Sequence, residues 1–464
     1  MIKSNKLIRF QKALAVFTLL CVAAGCLVGC SGTSSSATAG TDGSAAQSAV
    51  AANDVQHYLE TGEITGEEVN LRWLHRFPSE DEAAYFQSLA DEYTQMHPNV
   101  TIRIDTASDE AMKEKLRVMM GGGDVPDIYY SWSGEFAAKF VRAGAAIDLT
   151  PYQEADPEWK DSISEVYWNN GVVDGADYGV PFRFTGGAIM YNTKIFKELE
   201  LSVPKTWAEL EAVSQKLLDA GYTPMLCGNA QPWISAWWFT ALFEQMVPEE
   251  TRARDYNAAT GEWTDPGYAN ALALMQDMYE KQYLNQNINS MTDDQATELF
   301  ASGQGGMYYT GLYNFDPMSE KMGDENWDWF PFPAIEGAPG KTNTVVGAAD
   351  LFMVSKRSAH PEVAVDFLKF LTSKENQTRL PAETWLTPVV TGSSTEENTS
   401  EKEMSFIQYV AQESNGFSEY LDTATDARVC DKLLENFQLL YDGKEPEKIM
   451  EETRQIAATV REEG

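Results

Sequence analysis

Between residues 70 and 144 the chain switches repeatedly between a two-residue and a 3.6-residue apolar period, and that alternation restricts it to an α/β architecture. Asn70-Leu71-Arg72-Trp73-Leu74 reads as a first strand. Ser79-Glu80-Asp81-Glu82, behind Pro78, reads as a capping box, and Phe86, Leu89, Ala90 and Tyr93 follow at helical spacing until Pro98. Val100, Ile102 and Ile104 alternate as a second strand. Met112, Leu116, Met119 and Met120 mark a helix closed by Gly121-Gly122-Gly123, and Pro126-Asp127-Ile128-Tyr129-Tyr130 is a third strand. Phe136 to Val141 is a short helix stopped at Gly144. Strands separated by helices in this way build a largely parallel sheet.

The pattern then restarts. Gly187 to Tyr191 is strand-like, and Thr206-Trp207-Ala208-Glu209 is a second capping box over Leu210, Val213 and Leu217, ended by Gly221. Strands are expected at Tyr222–Leu226, Gly306–Tyr309 and Val345–Ser355. Helices are expected around Tyr268–Tyr279 and after Pro361, where Val363, Phe367, Phe370 and Leu371 share a face. The tail beyond Glu403 reads as all helical, and no internal repeat is present. At this length, two α/β lobes are the expectation.

The first residues read as a targeting segment. Lys3, Lys6, Arg9 and Lys12 precede an apolar run, Ala13 to Val28, too short and Ala/Gly-rich for a membrane span. Leu27-Val28-Gly29-Cys30 resembles the bacterial lipobox, and that resemblance implies a lipid on Cys30. Residues 31–53 are rich in Ser, Thr, Ala and Gly and read as a flexible tether. Thirty-five basic against 70 acidic residues, net charge −35, argue against a nucleic-acid partner and against adhesion to anionic lipid. Of five cysteines, Cys30, Cys227 and Cys430 remain after processing. The last two form either one disulfide or two buried free thiols, the second being favoured.

The residues carry no sign of catalysis, cofactor or metal. His57, His75, His97 and His360 are scattered, with no H-E-x-x-H pair. Gly337-Ala338-Pro339-Gly340-Lys341-Thr342 approximates a phosphate loop, but its first glycine would fall at Ile335. There is no G-x-S-x-G elbow, and Asp293-Asp294 lacks EF-hand spacing. Paired carboxylates leave no local motif, so a secreted glycoside hydrolase stays as the minor alternative.

Tyr178-Gly179-Val180-Pro181, Ala188-Ile189-Met190-Tyr191-Asn192 and Val203-Pro204-Lys205-Thr206-Trp207-Ala208-Glu209-Leu210 resemble the carbohydrate-binding proteins of bacterial ABC importers, the maltose-binding-protein-like family. Val125-Pro126-Asp127-Ile128, Phe300–Met307, Phe330-Pro331-Phe332-Pro333 and the Pro361–Ser373 helix match in the same order. The resemblance covers residues 68–390 well and the tail loosely. It implies a two-lobed periplasmic-binding-protein-like fold of type II, each lobe a mixed, mostly parallel sheet with flanking helices, a hinged cleft between them and a helical C-terminus. The expected division is a signal peptide at 1–29, a lipidated cysteine and linker at 30–67, an N-terminal lobe of 68–182 plus 347–390, and a C-terminal lobe of 183–346 plus 391–464.

A sugar offers apolar C–H faces to aromatic rings and hydroxyls to carboxylates, amides and guanidinium groups. Trp132, just past the third strand, is one candidate, because ligands bind outside the carboxyl ends of strands in open α/β sheets. Trp233 and Trp237, with Trp238, are expected in a loop after Asn229, and Tyr313 follows Thr310-Gly311. For each ring the competing reading is core packing. The polar candidates are Arg76, Glu135, Arg183, Asn229 and Asp350. Asp350 interrupts an apolar strand, so it either pairs with an internal arginine such as Arg183 or receives ligand hydroxyls. Cutting Arg183 to Ala is expected to weaken binding without unfolding the lobe. The resemblance implies a carbohydrate ligand, ABC permease subunits as partners, a monomer anchored through Cys30 on the outer face of the cell membrane, and no cofactor. A sensory binding protein serving a membrane receptor kinase would read the same way.

Overall fold

The first half of the sheet follows the predicted alternation. Strand β1 (Val69–His75) pairs in parallel with β2 (Val100–Thr106) and with β3 (Ile128–Ser131). The structure is a computed structural model that describes residues 42–463. The signal peptide, Cys30 and the beginning of the tether lie outside the described residues. Helix α1 (Asp42–Thr61) occupies the part expected to stay a tether. Its run Ala45-Ala46 … Ala49-Val50-Ala51-Ala52 carries the strongest helix former. Residues 42–46 form its first turn, and Gln47 to the end is one unit.

Helix α2 (Glu80–Met96) covers the sheet with Tyr85, Phe86, Leu89, Ala90 and Tyr93, all buried. Its expected capping box does not form, because the Ser79 hydroxyl turns to the Glu82 carboxylate at 2.6 Å and leaves the backbone uncapped. Helix α3 (Asp109–Gly122) ends at Gly123, whose φ of 75° is the left-handed turn that favours glycine. Helix α4 (Glu135–Arg142) follows β3 directly. A small hairpin, β4 (Val172–Val173) with β5 (Ala176–Asp177), precedes the longest strand, β6 (Val180–Asn192).

The first half of β6 runs antiparallel to β10 (Val345–Val354), which in turn pairs with β3. Its second half pairs with β8 (Gly305–Gly311), itself parallel to β7 (Thr223–Leu226), and with β9 (Trp327–Phe330). The sheet order is β2-β1-β3-β10-β6-β8-β7. Gly186 and Gly347 face each other where the two long strands meet. A Cβ on Gly347 would stand 2.4 Å from the Thr185 carbonyl, so only glycine lets the backbones approach this closely.

Two short strands, β11 (Thr387–Pro388) on β6 and β12 (Phe417–Ser418) on β10, complete the sheet. The second corrects the all-helical reading of the tail: β12 separates the Glu401–Gln412 helix from the Ala427–Tyr441 and Pro446–Glu463 helices. Trp73 is fully buried, with Phe86, Phe352 and Phe367 edge-on at 5.1–5.4 Å. A second cluster joins the Trp233–Met246 and Pro266–Glu280 helices to the C-terminal helices. Cys227 and Cys430 are buried free thiols, as favoured.

The second capping box does form: the Thr206 hydroxyl accepts from the Glu209 amide at 3.3 Å, and the Glu209 carboxylate accepts from Thr206. Thr206→Ala is expected to lower stability by about 1 kcal/mol, read from urea unfolding. The same measurement on Ser79→Ala is expected to show little change, because no backbone amide depends on that hydroxyl.

Candidate functional site

Parallel pairing of β1 and β3 brings their carboxyl ends side by side, and with them Arg76 and Trp132. The Arg76 guanidinium carbon lies 5.0 Å from the Phe77 ring centre, 5.3 Å from Tyr130 and 5.9 Å from Trp132. Its Nε donates to the Tyr130 hydroxyl at 2.8 Å. Trp132 stands edge-on to Tyr130 and Phe136, at 4.7 and 4.9 Å between ring centres, and stays part-exposed. Lys113, on α3, lies 5.4 Å above the same indole.

Asp350 and Arg183 are opposite residues on β10 and β6, with a bulge after Asp350. Arg183 Nε donates to Asp350 Oδ2 at 2.5 Å, its Nη2 closes on the same oxygen, and Arg76 Nη2 lies 3.4 Å away. The pairing reading of Asp350 therefore holds. Two guanidinium groups converge on one buried carboxylate at the junction of the two half-sheets. Cutting Arg183 to Ala would leave Asp350 without its closest partner in a buried site, since Asp350 is 3% exposed and Arg183 5%.

Across the junction, Trp237 stacks on Tyr420 with ring centres 5.1 Å apart and planes 20° from parallel. Trp233, Tyr313 and Tyr309 stand edge-on around it at 5.9–6.3 Å. All three tryptophans expected in a loop instead lie in the Trp233–Met246 helix. Its sequence, WISAWWFTALFEQM, is apolar all round, as suits a helix buried on every side, so no amphipathic stripe announces it. Trp238 is fully buried against Tyr309 and Phe332 and belongs to the core.

The Tyr313 hydroxyl donates to Asp293 Oδ2 at 3.1 Å. Burial pushes the Asp293 carboxyl upward, and donation from Tyr308 and Tyr313 pulls it back. Tyr420 links the two sides. Its hydroxyl donates to the Thr185 carbonyl at 3.4 Å, and burial, with the nearby Asp350 charge adding, pushes it well above an ordinary phenol. Arg76, Trp132, Arg183, Asp350, Trp237, Trp233 and Tyr313 thus lie along one run of rings and charges.

Asn229 and Glu135 stand apart from that run. Asn229 is fully buried, its amide donating to Asn289 at 2.9 Å and its carbonyl accepting from Gln438 at 3.0 Å. Glu135 is ion-paired with Arg142 on its own helix. It lines a cavity of about 590 Å³ with Phe136, Lys139, Asp422 and Arg428, a charged lining that excludes the aromatic candidates. Burial draws the Lys139 ammonium down to about 8.

Several residues were missed. Lys113 sits 3.6 Å from Asp422, and Asn170 donates to Glu419 at 3.5 Å, so the segment around Tyr420 is tied to α3 and to the loop before β4. Burial pushes the Glu419 carboxyl up, with Ser133 and Asn170 opposing. No local motif marks these residues, because the contacts join positions hundreds of residues apart.

Among proteins of known sequence, the chain matches the bacterial extracellular solute-binding protein family over residues 78–378. An ABC transporter extracellular-binding protein of Pyrococcus horikoshii is 27% identical over 66% of this chain and 68% of its own length. The multiple sugar-binding protein of Streptococcus mutans is 22% identical over 62% of this chain and 68% of its own. Among solved structures, a chitin oligosaccharide binding protein superposes with a TM-score of 0.74 at 22% identity, over 85% of this chain and 99% of that one.

Proposed function

Because the chain belongs to the bacterial extracellular solute-binding proteins, we propose that it captures a sugar or oligosaccharide between two lobes and delivers it to an ABC permease. The observation that carries this reading is the family match across residues 78–378, which spans both half-sheets. Relatives named for sugars and for ABC transport support the ligand class.

In this reading the lobes hinge about β6 and β10. Trp132, Trp233, Trp237 and Tyr313 offer ring faces to the ligand, and Arg76, Arg183 and Asp350 set the polar frame. Ligand contacts to both sides favour the closed form, and the protein performs no covalent step. Asn229, buried and hydrogen-bonded to Asn289 and Gln438, and Glu135, paired with Arg142, are left outside the proposed site. No described helix is long and apolar enough to cross a membrane. Attachment to the outer face of the membrane is assigned to a lipid on Cys30, as its Leu27-Val28-Gly29 context supports.

Thermal unfolding against neutral oligosaccharides, uronates, polyols and amino acids tests the proposal. A ligand at about 100 times its Kd adds about 2.7 kcal/mol of stability, a shift of several degrees. A shift confined to carbohydrates is the expected result. A shift from amino acids alone would move the protein to a different ligand class.

A further inference from the structure

Helix α1 meets the body of the protein through Tyr58, whose hydroxyl donates to Asp366 Oδ1 at 2.9 Å. The Tyr93 hydroxyl donates to the other oxygen of that carboxylate at 2.7 Å, so Asp366, half-buried between two phenols, has both oxygens satisfied. Four residues earlier on each helix the chemistry repeats without the donors. Asp54 lies one turn before Tyr58, and Glu362 one turn before Asp366 on the Pro361–Leu371 helix. Glu362 is 0% exposed, and neither of its carboxylate oxygens has a hydrogen-bond partner. His360, at the N-cap of that helix, points Nδ1 to within 3.5 Å of Glu362 Oε1. That Nδ1 and Asp54 Oδ2 are likewise buried without a hydrogen bond.

One ligand atom from each of the three residues lies within 4.8 Å of the others, the single such group among the described residues. A fully buried carboxylate with no donor is costly. A cation held by all three side chains would supply what the protein withholds.

We propose that Asp54, His360 and Glu362 form a binding site for a divalent transition-metal ion, Zn²⁺ above others, which clips α1 to the body. One imidazole nitrogen and two carboxylate oxygens are a zinc donor set, whereas calcium takes six to eight oxygens. Two ligands on a tetrahedral zinc with bonds of 2.0–2.1 Å stand about 3.4 Å apart, and the His360–Glu362 separation is 3.5 Å. Asp54, on the half-buried side of α1, closes the third position by a small side-chain movement, and water completes the shell. The site arises from tertiary structure alone: His360 and Glu362 are two residues apart in sequence, but Asp54 is some 300 residues away. Binding requires neutral His360 and ionised carboxylates, so it displaces any proton that Glu362 holds.

The test is calorimetric titration of the chelator-stripped full chain with zinc chloride, followed by thermal unfolding with and without the metal. One zinc per chain and a raised melting temperature are expected. Glu362→Gln keeps the shape and removes the buried charge. It should fold at least as stably without metal, bind zinc roughly tenfold or more weakly, and lose the thermal response. Asp54→Asn should lose most of the response too, and it decides the matter if His360→Ala fails to fold. Absence of stoichiometric binding by the unmodified chain overturns the site. So does zinc affinity that is equal in the unmodified chain and both carboxylate variants, which would place the ion at other histidines.

Discussion

Asp350→Ala should lower the unfolding free energy by about 3–5 kcal/mol, the cost of leaving buried guanidinium charge without its partner. The side chains of Arg183 and Asp350 are 6% and 5% exposed, and Arg76, at 18%, leans on the same oxygen. Removing the carboxylate forces two cations together in a site that water scarcely reaches. The measurement is urea unfolding at neutral pH. Its control is the double replacement Asp350→Leu with Arg183→Met, which removes both charges while keeping bulk and should recover much of the loss. A cost below about 1 kcal/mol for Asp350→Ala is what an exposed pair would give, and would contradict the buried junction between β6 and β10. The double variant also separates fold from function. It is expected to stay folded and to lose ligand affinity, because the polar frame at the junction is gone.

Glu403→Gln should act in the opposite direction. Glu403 is 4% exposed, accepts from the Thr387 hydroxyl at 2.5 Å, and has its carboxyl pushed by burial from 4.5 up to about 7. Between those two values the folded chain keeps a proton that the unfolded chain has released, so stability falls as pH rises from about 4.5 through 7 and is level above. The difference of about 2.5 pKa units corresponds to roughly 3 kcal/mol at pH 8 relative to pH 4. Glutamine keeps the acceptor for Thr387 and carries no charge, so the variant should be more stable than the unmodified chain at pH 8 and equal to it near pH 4. Parallel pH profiles for the two proteins would show that Glu403 titrates normally. Other buried acids shifted upward, among them Asp293 and Glu419, contribute the same sign to both profiles and cancel in the comparison.

The strands β1, β2, β3 and β10 and the helices between them were legible because each pairs a clear period with a stop such as Pro98 or Gly123. The long strand β6 was only half legible. The expected strand began only at Gly187, whereas β6 runs on through Gly186, which pairs with Gly347 of β10. The Trp233–Met246 helix escaped notice for a different reason: buried all round, it has no polar face to set a phase. β12 is two residues long and exists only because β10 offers it an edge.

In the site, Asp350 was legible as a charge inside an apolar strand, and the register of β6 and β10 supplied its partner. Trp132 was singled out by the rule that strand ends hold ligands, whereas Arg76 had no such signal and reaches the same place through the parallel pairing of β1 and β3. Tyr420, Lys113 and Asp422 carried no such signal, because their roles come from a tail segment folding back onto α3 and α4. His360 likewise was one of four scattered histidines, and only the fold brings Asp54 close to it.

The most direct measurement on the proposed function is a tryptophan-fluorescence titration of the full chain with neutral oligosaccharides, followed by recovery of the sugar. Trp132 and Trp233 are part-exposed and Trp237 adjoins Trp233, so a ligand seated there must alter their emission. The account predicts a saturable change at micromolar sugar, with the sugar recovered intact. No saturation at millimolar concentration of any sugar, or recovery of a shortened one, would contradict it.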